Sequence, residues 1–132
     1  MGTWDTGPFD NDTAADFSGQ LDALDEDERP AAIRGAFQDV LAETDYLDYY
    51  EATIAVAAAA LVAAQCPGGK PTDEVYGPDG SIPPLSTDLR PLAVRALDRI
   101  TAEDSELHEL WEETGAEGWL AEIEALRTIL SA

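Results

Sequence analysis

The chain has 132 residues, of which 28 are acidic and 7 basic, so its formal net charge at pH 7 is −21. This charge argues against direct binding to nucleic-acid phosphates or anionic membranes, and any charged partner is expected to be basic. The single cysteine, Cys66, excludes an internal disulfide bond. We therefore expect a cytoplasmic protein of one domain, residues 1–132, with no signal peptide and no membrane-spanning segment.

The N-terminal residues 1–10 carry two aromatic side chains, Trp4 and Phe9, together with glycine and proline. We expect an irregular segment that packs on the core. Asn11 or Asp12 is predicted to cap the first helix, because Asn and Asp side chains accept hydrogen bonds from the free N–H groups of a helix N-terminus. The apolar residues of this helix keep to one face at helical spacing: Ala14, Phe17, Leu21 and Leu24.

An acidic stretch, residues 24–28, is predicted as a loop before a second helix, and Pro30 suits the first turn of that helix. The second helix has an apolar stripe: Ile33, Ala36, Phe37, Val40 and Leu41. A third helix is expected to begin at Asp45 or Asp48 and to run to about Gln65. Its alanine-rich sequence is apolar on nearly every side, which is typical of a buried helix. We predict that it lies at the centre of the fold.

Residues 66–86 are predicted as one long loop, because they contain five of the eight prolines and four of the ten glycines. Ser86, Thr87 or Asp88 is expected to cap a fourth helix. The apolar residues of this helix recur at a clear helical spacing: Leu89, Leu92, Ala93, Ala96, Leu97 and Ile100.

The helical pattern resumes after Ala102, and its apolar side chains change face near Gly115 and Gly118. Glycine is unfavourable inside a helix, so we predict two consecutive helices or one helix with a marked break. No segment alternates convincingly at the period of a strand. The fold class is therefore predicted as all-α, a single compact bundle of about five to six helices around the alanine-rich third helix.

The sequence contains no recognisable catalytic residues and implies no cofactor or metal. The only histidine, His108, lies between Glu106 and Glu109, but Glu-x-His spacing turns the two side chains about 200° apart on a helix. We expect His108 to be exposed, and Cys66 to be a small buried apolar residue. These features favour a binding protein over an enzyme and leave enzymatic activity open.

The first candidate site lies at the N-terminus, where Trp4 and Phe9 can form an apolar wall beside acceptors for a cation or an amine. These acceptors are Asp5, Asp10, Asn11, Asp12 and Asp16. The same residues also serve to dock the terminus on the core and to cap the first helix. We favour this structural interpretation, and the ligand site remains the alternative.

The second candidate site is an acidic aromatic cluster at the start of the third helix. Its residues are Asp45, Tyr46, Asp48, Tyr49, Tyr50 and Glu51. Such a surface can bind arginine side chains through carboxylates and ring faces. The alternative, which we favour, is that the tyrosine rings pack on the core and keep their hydroxyl groups in water.

The first seventeen residues resemble the opening of a bacterial family of small, acidic, helical proteins that is known only as a domain of unknown function. Members begin with a pattern like M-G-x-W-G-x-G-x-F-x-N-D-x-A-x-D-W. The matching residues are Met1, Gly2, Trp4, Gly7, Phe9, Asn11, Asp12, Ala14 and Asp16. Asp5 and Phe17 differ from the pattern, and residues 46–64 and 105–111 are also similar to the family. The resemblance implies one small helical domain and no known reaction.

The sequence therefore favours a non-enzymatic acidic binding protein that engages a basic protein surface, as an inhibitor, immunity protein or adaptor does. One alternative is a site for a small ligand or a divalent cation at the N-terminal Trp/Asp motif. Another is that the acidity serves only solubility. The sequence leaves these alternatives open.

Overall fold

The computed structural model describes residues 12–66, 82–102, 104–115 and 117–131. These residues form six α-helices and one turn of 3-10 helix, Glu26–Glu28, and they contain no strand. The α-helices are α1 (Asp12–Ala23), α2 (Arg29–Ala42), α3 (Tyr49–Ala64), α4 (Leu89–Ile100), α5 (Glu106–Thr114) and α6 (Glu117–Ser131). The prediction of an all-α bundle is confirmed.

Helix α3 lies at the centre of the bundle and packs against α1, α2, α4, α5 and α6. Its alanines are buried on several sides, and Ala55, Ala57 and Ala58 have no exposed surface. Small side chains let neighbouring helices approach closely while keeping the interior densely packed. The predicted central position of the alanine-rich helix is thus confirmed. None of the described helices, α3 included, is long and apolar enough to cross a membrane.

The apolar stripes of the flanking helices point into the same core. Residues from α1, α2 and α4 are fully or almost fully buried: Ala14, Phe17, Leu21, Ile33, Phe37, Val40, Ala93, Leu97 and Ile100. Burying a large apolar side chain contributes about 1.5 to 3 kcal/mol relative to leaving it exposed. The helical spacing seen in the sequence therefore identifies most of the core.

The acidic stretch between α1 and α2 is more ordered than a simple loop. Its turn of 3-10 helix leads into Arg29, whose Nε donates to the Leu21 carbonyl at 2.8 Å and whose Nη2 donates to the Leu24 carbonyl at 3.2 Å. Carbonyls at the end of a helix lack partners within the helix, and a cation there also complements the helix dipole. Arg29 thus joins the end of α1 to α2, in which Pro30 occupies the first turn as predicted.

Helix α3 begins at Tyr49, and Asp48 occupies the N-cap position, so the earlier start at Asp45 is wrong. The Asp48 side chain makes no capping hydrogen bond. Instead, the Glu106 carboxylate of α5 accepts a hydrogen bond of 2.8 Å from the Tyr49 N–H. A residue 57 positions away therefore does what the sequence assigned to a local cap.

Helix α4 begins at Leu89 after Asp88, within the predicted range of starts. The Asp88 carboxylate accepts two hydrogen bonds from Arg34 of α2, at 2.9 and 3.1 Å. These bonds are the main reason why the pKa of Asp88 falls to about 2. The expected capping residue thus connects α4 to α2.

The C-terminal helices are separated as predicted, and Gly115 lies at the break. It follows α5 with a φ of +100°, a conformation that favours glycine. Gly118 lies inside the first turn of α6.

The two ends of the predicted 66–86 loop meet at Gln65. Its Nε2 donates to the Pro83 carbonyl at 3.0 Å, and its Oε1 accepts from the Leu85 N–H at 2.8 Å. One side chain at the end of α3 therefore fastens the chain that returns toward α4. Residues 67–81 lie outside the described residues.

Candidate binding surface

The N-terminal candidate site lies mostly outside the described residues. The residues concerned are Trp4, Asp5, Phe9, Asp10 and Asn11. Asp12 begins α1, and Asp16 is exposed on the same helix. The predicted packing of residues 1–10 on the core, and most of the alternative ligand site, therefore lie outside the described residues. Within the described part of the chain, no group of three or more His, Cys, Asp or Glu side chains could hold a metal ion.

The second candidate cluster lies where the chain enters α3. Asp45 and Asp48 are exposed, and the side chains of Tyr46 and Tyr50 are 46% and 55% exposed. Tyr49 is partly buried against the core. Tyr49 therefore packs against the core as predicted. Tyr46 and Tyr50 instead expose about half of their surface to solvent.

Acidic side chains from α2, from α5 and from the segment between α2 and α3 act on two groups of this cluster, Tyr46 and Glu51. We define the acidic face by these residues: Asp39, Glu43, Asp45, Tyr46, Asp48, Tyr50, Glu51 and Glu109.

Residues 43–48, which carry part of the acidic face, form no helix and are held by Arg99 of α4. The Arg99 guanidinium donates to the carbonyls of Glu43 at 3.2 Å, Asp45 at 2.5 Å and Asp104 at 3.0 Å. The rigid, planar donor set of arginine allows one side chain to bind several acceptors. Arg99 therefore fastens the two segments that precede α3 and α5.

Leu47 provides a second anchor, because it forms a single parallel β-bridge with Ser105. Its N–H donates to the Asp104 carbonyl at 2.8 Å, and its carbonyl accepts from the Glu106 N–H at 2.9 Å. The Leu47 side chain has no exposed surface. This bridge could not be predicted from the sequence, since one paired residue produces no alternating pattern.

Ser105 also caps α5, which begins at Glu106. Its buried Oγ accepts a hydrogen bond of 3.5 Å from the His108 N–H. This cap was not predicted from the sequence. A serine just before the periodic apolar residue Leu107 is a recognised start signal that could have identified it.

The chain matches one known protein family over most of its length. Residues 2–122 match the model of the family described as Domain of unknown function (DUF4259). The chain belongs to the DUF4259 family. Comparisons with curated proteins and with solved structures gave no match. The matched range contains all residues of the acidic face, so the surface belongs to the DUF4259 domain itself.

Several arginines of this DUF4259 domain connect one helix or segment to another. Arg29 and Arg99 donate to backbone carbonyls. Arg34 and Arg127 pair with carboxylates at the start of α4 and within it, at 2.9 and 3.0 Å. Although Arg99 reaches the segment below the acidic face, its hydrogen bonds go to main-chain oxygens. Among the described residues, the ion pairs use Asp88, Asp98, Glu112 and Glu124, none of which belongs to the acidic face.

Tyr46 shows the consequence of this crowding at one end of the face. Partial desolvation raises the pKa of its hydroxyl, and so does Glu109, whose negative charge acts on the hydroxyl and whose carboxylate hydrogen-bonds with it. The charges of Glu106 and Asp48 add to the same pKa shift. The Tyr46 side chain is thus an exposed aromatic group whose hydroxyl lies near the carboxylates of Glu109, Glu106 and Asp48.

Glu51 shows the same effect near the first turn of α3. Partial desolvation is the largest cause of its raised pKa, followed by the negative charges of Asp48, Asp39 and Glu43. A nearby cation would lower this pKa, because opposite charge favours the ionised carboxylate.

Replacing Glu51 by glutamine is expected to raise the free energy of unfolding at pH 7 by about 0.3 to 0.5 kcal/mol, the size of a like-charge interaction on a helix. Because the folded-state pKa of Glu51 lies above its unfolded value, ionisation costs more in the folded state. The wild-type protein therefore becomes less stable relative to E51Q as the pH rises above 4.5, the ordinary pKa of a glutamate side chain.

Urea unfolding of E51Q and the wild-type protein at about pH 3.5 and about pH 7 measures this effect. The gain should vanish at the lower pH, where Glu51 is protonated in both states. E122Q, at an exposed position of α6, is the matched control. An equal gain for E51Q at both pH values would contradict the electrostatic explanation.

Proposed function

We propose that this protein is a non-enzymatic acidic binding protein whose acidic face engages a basic protein surface, as an inhibitor, immunity protein or adaptor does. The observation that supports the proposal is the pair of exposed tyrosines, Tyr46 and Tyr50, in a segment rich in carboxylates. Partial desolvation, and after it the negative charges of neighbouring carboxylates, raise the pKa of Glu51 in the same segment. A cationic partner would relieve this repulsion and gain contact with two aromatic rings.

Arginine is the partner residue that fits this chemistry best. Its guanidinium can bind a carboxylate such as Asp45 or Asp48 in a bidentate manner and can stack on the ring of Tyr46 or Tyr50. Tyrosine is also frequent among the residues that contribute most to binding at protein interfaces. The anchors at Arg99 and Leu47 hold this segment in place before binding, which reduces the entropy lost on association.

The net charge of −21 supports the same proposal at longer range. A field of this sign attracts a basic partner and accelerates its association, and salt screens the attraction. The same field opposes direct binding to nucleic acids. We place the protein in the cytoplasm, because its single cysteine is buried and unpaired.

The test compares three tagged baits in a cell lysate at about 50 mM and about 500 mM salt. The baits are the wild-type protein, a face variant and a control variant. The face variant carries D45N, D48N and E51Q, and the control variant carries D27N, E117Q and E122Q. Both variants lose three negative charges, and the control positions are exposed in the turn before α2 and on α6.

The proposal requires a basic protein that the wild-type and control baits capture at low salt and the face variant does not. Binding of the purified partner should then weaken at least tenfold in the face variant, which corresponds to about 1.4 kcal/mol. Equal capture by all three baits, or no partner at low salt, would contradict the proposal. Either result would favour the interpretation that the acidity serves only solubility.

A further inference from the structure

Helix α5 is the shortest α-helix among the described residues, with nine residues between Glu106 and Thr114. Leu107 is the only buried residue among the side chains described on α5, whereas most residues of α3 are buried. An isolated helix of this length is not stable in water. Helix α5 therefore depends on its contacts with the rest of the bundle, to which it contributes little buried apolar area.

One set of contacts joins α5 to the chain that enters α3 and carries part of the acidic face. The Leu47 carbonyl accepts from the Glu106 N–H at 2.9 Å, and the Glu106 carboxylate accepts from the Tyr49 N–H at 2.8 Å. One turn further along α5, the Glu109 carboxylate hydrogen-bonds with the Tyr46 hydroxyl. Glu109 belongs to the acidic face, so the face is complete only while α5 occupies this position.

A second set of contacts joins α5 to α6 through aromatic rings. The His108 ring centroid lies 5.8 Å from that of Trp119, and the rings of Trp111 and Trp119 stack with centroids 6.3 Å apart. The His108 side chain is 18% exposed, so the prediction of an exposed histidine is wrong. Between the two helices Gly115 has a φ of +100°, and glycine adopts a wider range of backbone angles than other residues. The chain can therefore change direction at Gly115 while α6 stays folded.

We propose that α5 is a docking arm, which separates from α3 and α6 while the other helices remain folded. Parts of a protein that bury few apolar side chains open at a lower free energy than its core does. The burial of Leu107, the ring contacts with Trp119 and the bridge at Leu47 are lost together in the separated state. Glu109 then leaves the acidic face, and the segment before α3 loses its anchor on α5.

Docking of α5 regulates the acidic face, a consequence that rests on the proposed function. A basic protein that contacts Glu109 together with Asp45 or Asp48 binds the docked form, and its binding shifts the population toward that form. The fraction of molecules with α5 docked therefore scales the apparent affinity for the partner. The separation of α5 does not itself depend on a partner.

Native-state hydrogen exchange of the protein alone, followed by nuclear magnetic resonance, tests the separation of α5. The N–H groups of Leu47, Tyr49 and Glu106 lose their acceptors when α5 separates, whereas those in the middle of α4 stay hydrogen-bonded until the bundle unfolds. The three N–H groups should open at least about tenfold more often than those of α4, and with a weaker dependence on urea, because less surface is exposed. Equal opening with the same urea dependence in both groups would overturn the proposal.

Two variants distinguish the motion of α5 from unfolding of the whole bundle. F37L weakens the packing of α2 on α3 and α4, so it should speed exchange in α4 about fivefold to tenfold and leave the three N–H groups unchanged. L107A removes a side chain that packs only in the docked state, so it should speed exchange of the three N–H groups about thirtyfold or more. An equal effect of F37L on both groups, or no effect of L107A on the three N–H groups, would overturn the proposal. No partner is present, so this result is independent of whether the acidic face binds a basic protein.

Discussion

Replacing Phe37 by alanine is expected to lower the free energy of unfolding by about 3 to 5 kcal/mol, the range measured for truncated core phenylalanines. Phe37 has no exposed surface, and its helix α2 packs against both α3 and α4. Loss of the ring removes buried apolar area and leaves a cavity. Helices on two sides limit how far the surrounding side chains can fill that cavity, which places the expected loss high in the range.

Urea unfolding monitored by circular dichroism measures this change. F37L keeps much of the buried volume and should lose only about 1 to 1.5 kcal/mol. Y50A, which truncates an exposed aromatic residue, should change the free energy of unfolding by no more than about 0.5 kcal/mol. A loss below about 1 kcal/mol for F37A would contradict the placement of α2 against α3 and α4.

Replacing Arg99 by glutamine is expected to lower the free energy of unfolding by about 2 kcal/mol. Each hydrogen bond from a charged donor contributes about 1.5 to 3 kcal/mol. The total loss is smaller than the sum for three bonds, because water can donate to the exposed carbonyls in place of Arg99. The carbonyls of Glu43, Asp45 and Asp104 lose a common donor. The segments that precede α3 and α5 should open more often as a result.

Amide hydrogen exchange locates this effect. The N–H groups of Leu47 and Glu106, which form the bridge between the two segments, should exchange about tenfold faster in R99Q than in the wild-type protein. R95Q is the matched control, because Arg95 is an exposed arginine on the same helix. Equal protection of the bridge in R99Q and the wild-type protein would show that Arg99 does not hold these segments.

The helices could be predicted because their signals are local. Apolar residues at helical spacing identify the buried face of α2 through Ile33 and Phe37, and of α4 through Leu97 and Ile100. The predicted break between α5 and α6 coincides with Gly115, whose positive φ is a property of one residue. Such features depend on neighbours within one or two turns of the chain.

The candidate surface was only partly predictable. The acidic aromatic cluster could be named from Tyr46, Tyr50 and the nearby aspartates, because these residues are adjacent in the sequence. The spatial arrangement of the cluster could not be predicted. Glu51 interacts with Asp39 of α2 and with Glu43, the residue that directly follows α2. The local signal was also misleading for His108. Its acidic neighbours suggested an exposed side chain, whereas its ring lies beside the ring of Trp119 on α6.

By itself, the sequence determined the all-α class, the central alanine-rich helix, the excess of negative charge and most of the core residues. Only the tertiary structure decided which distant side chains bind the backbone at the start of α3 and at the end of α2. Glu106 accepts from the first N–H of α3 across 57 residues, and Arg99 binds the Glu43 carbonyl across 56 residues. Periodicity and capping preferences act over a few residues, whereas these contacts depend on how whole helices pack. Their partners therefore become defined only when the bundle has formed.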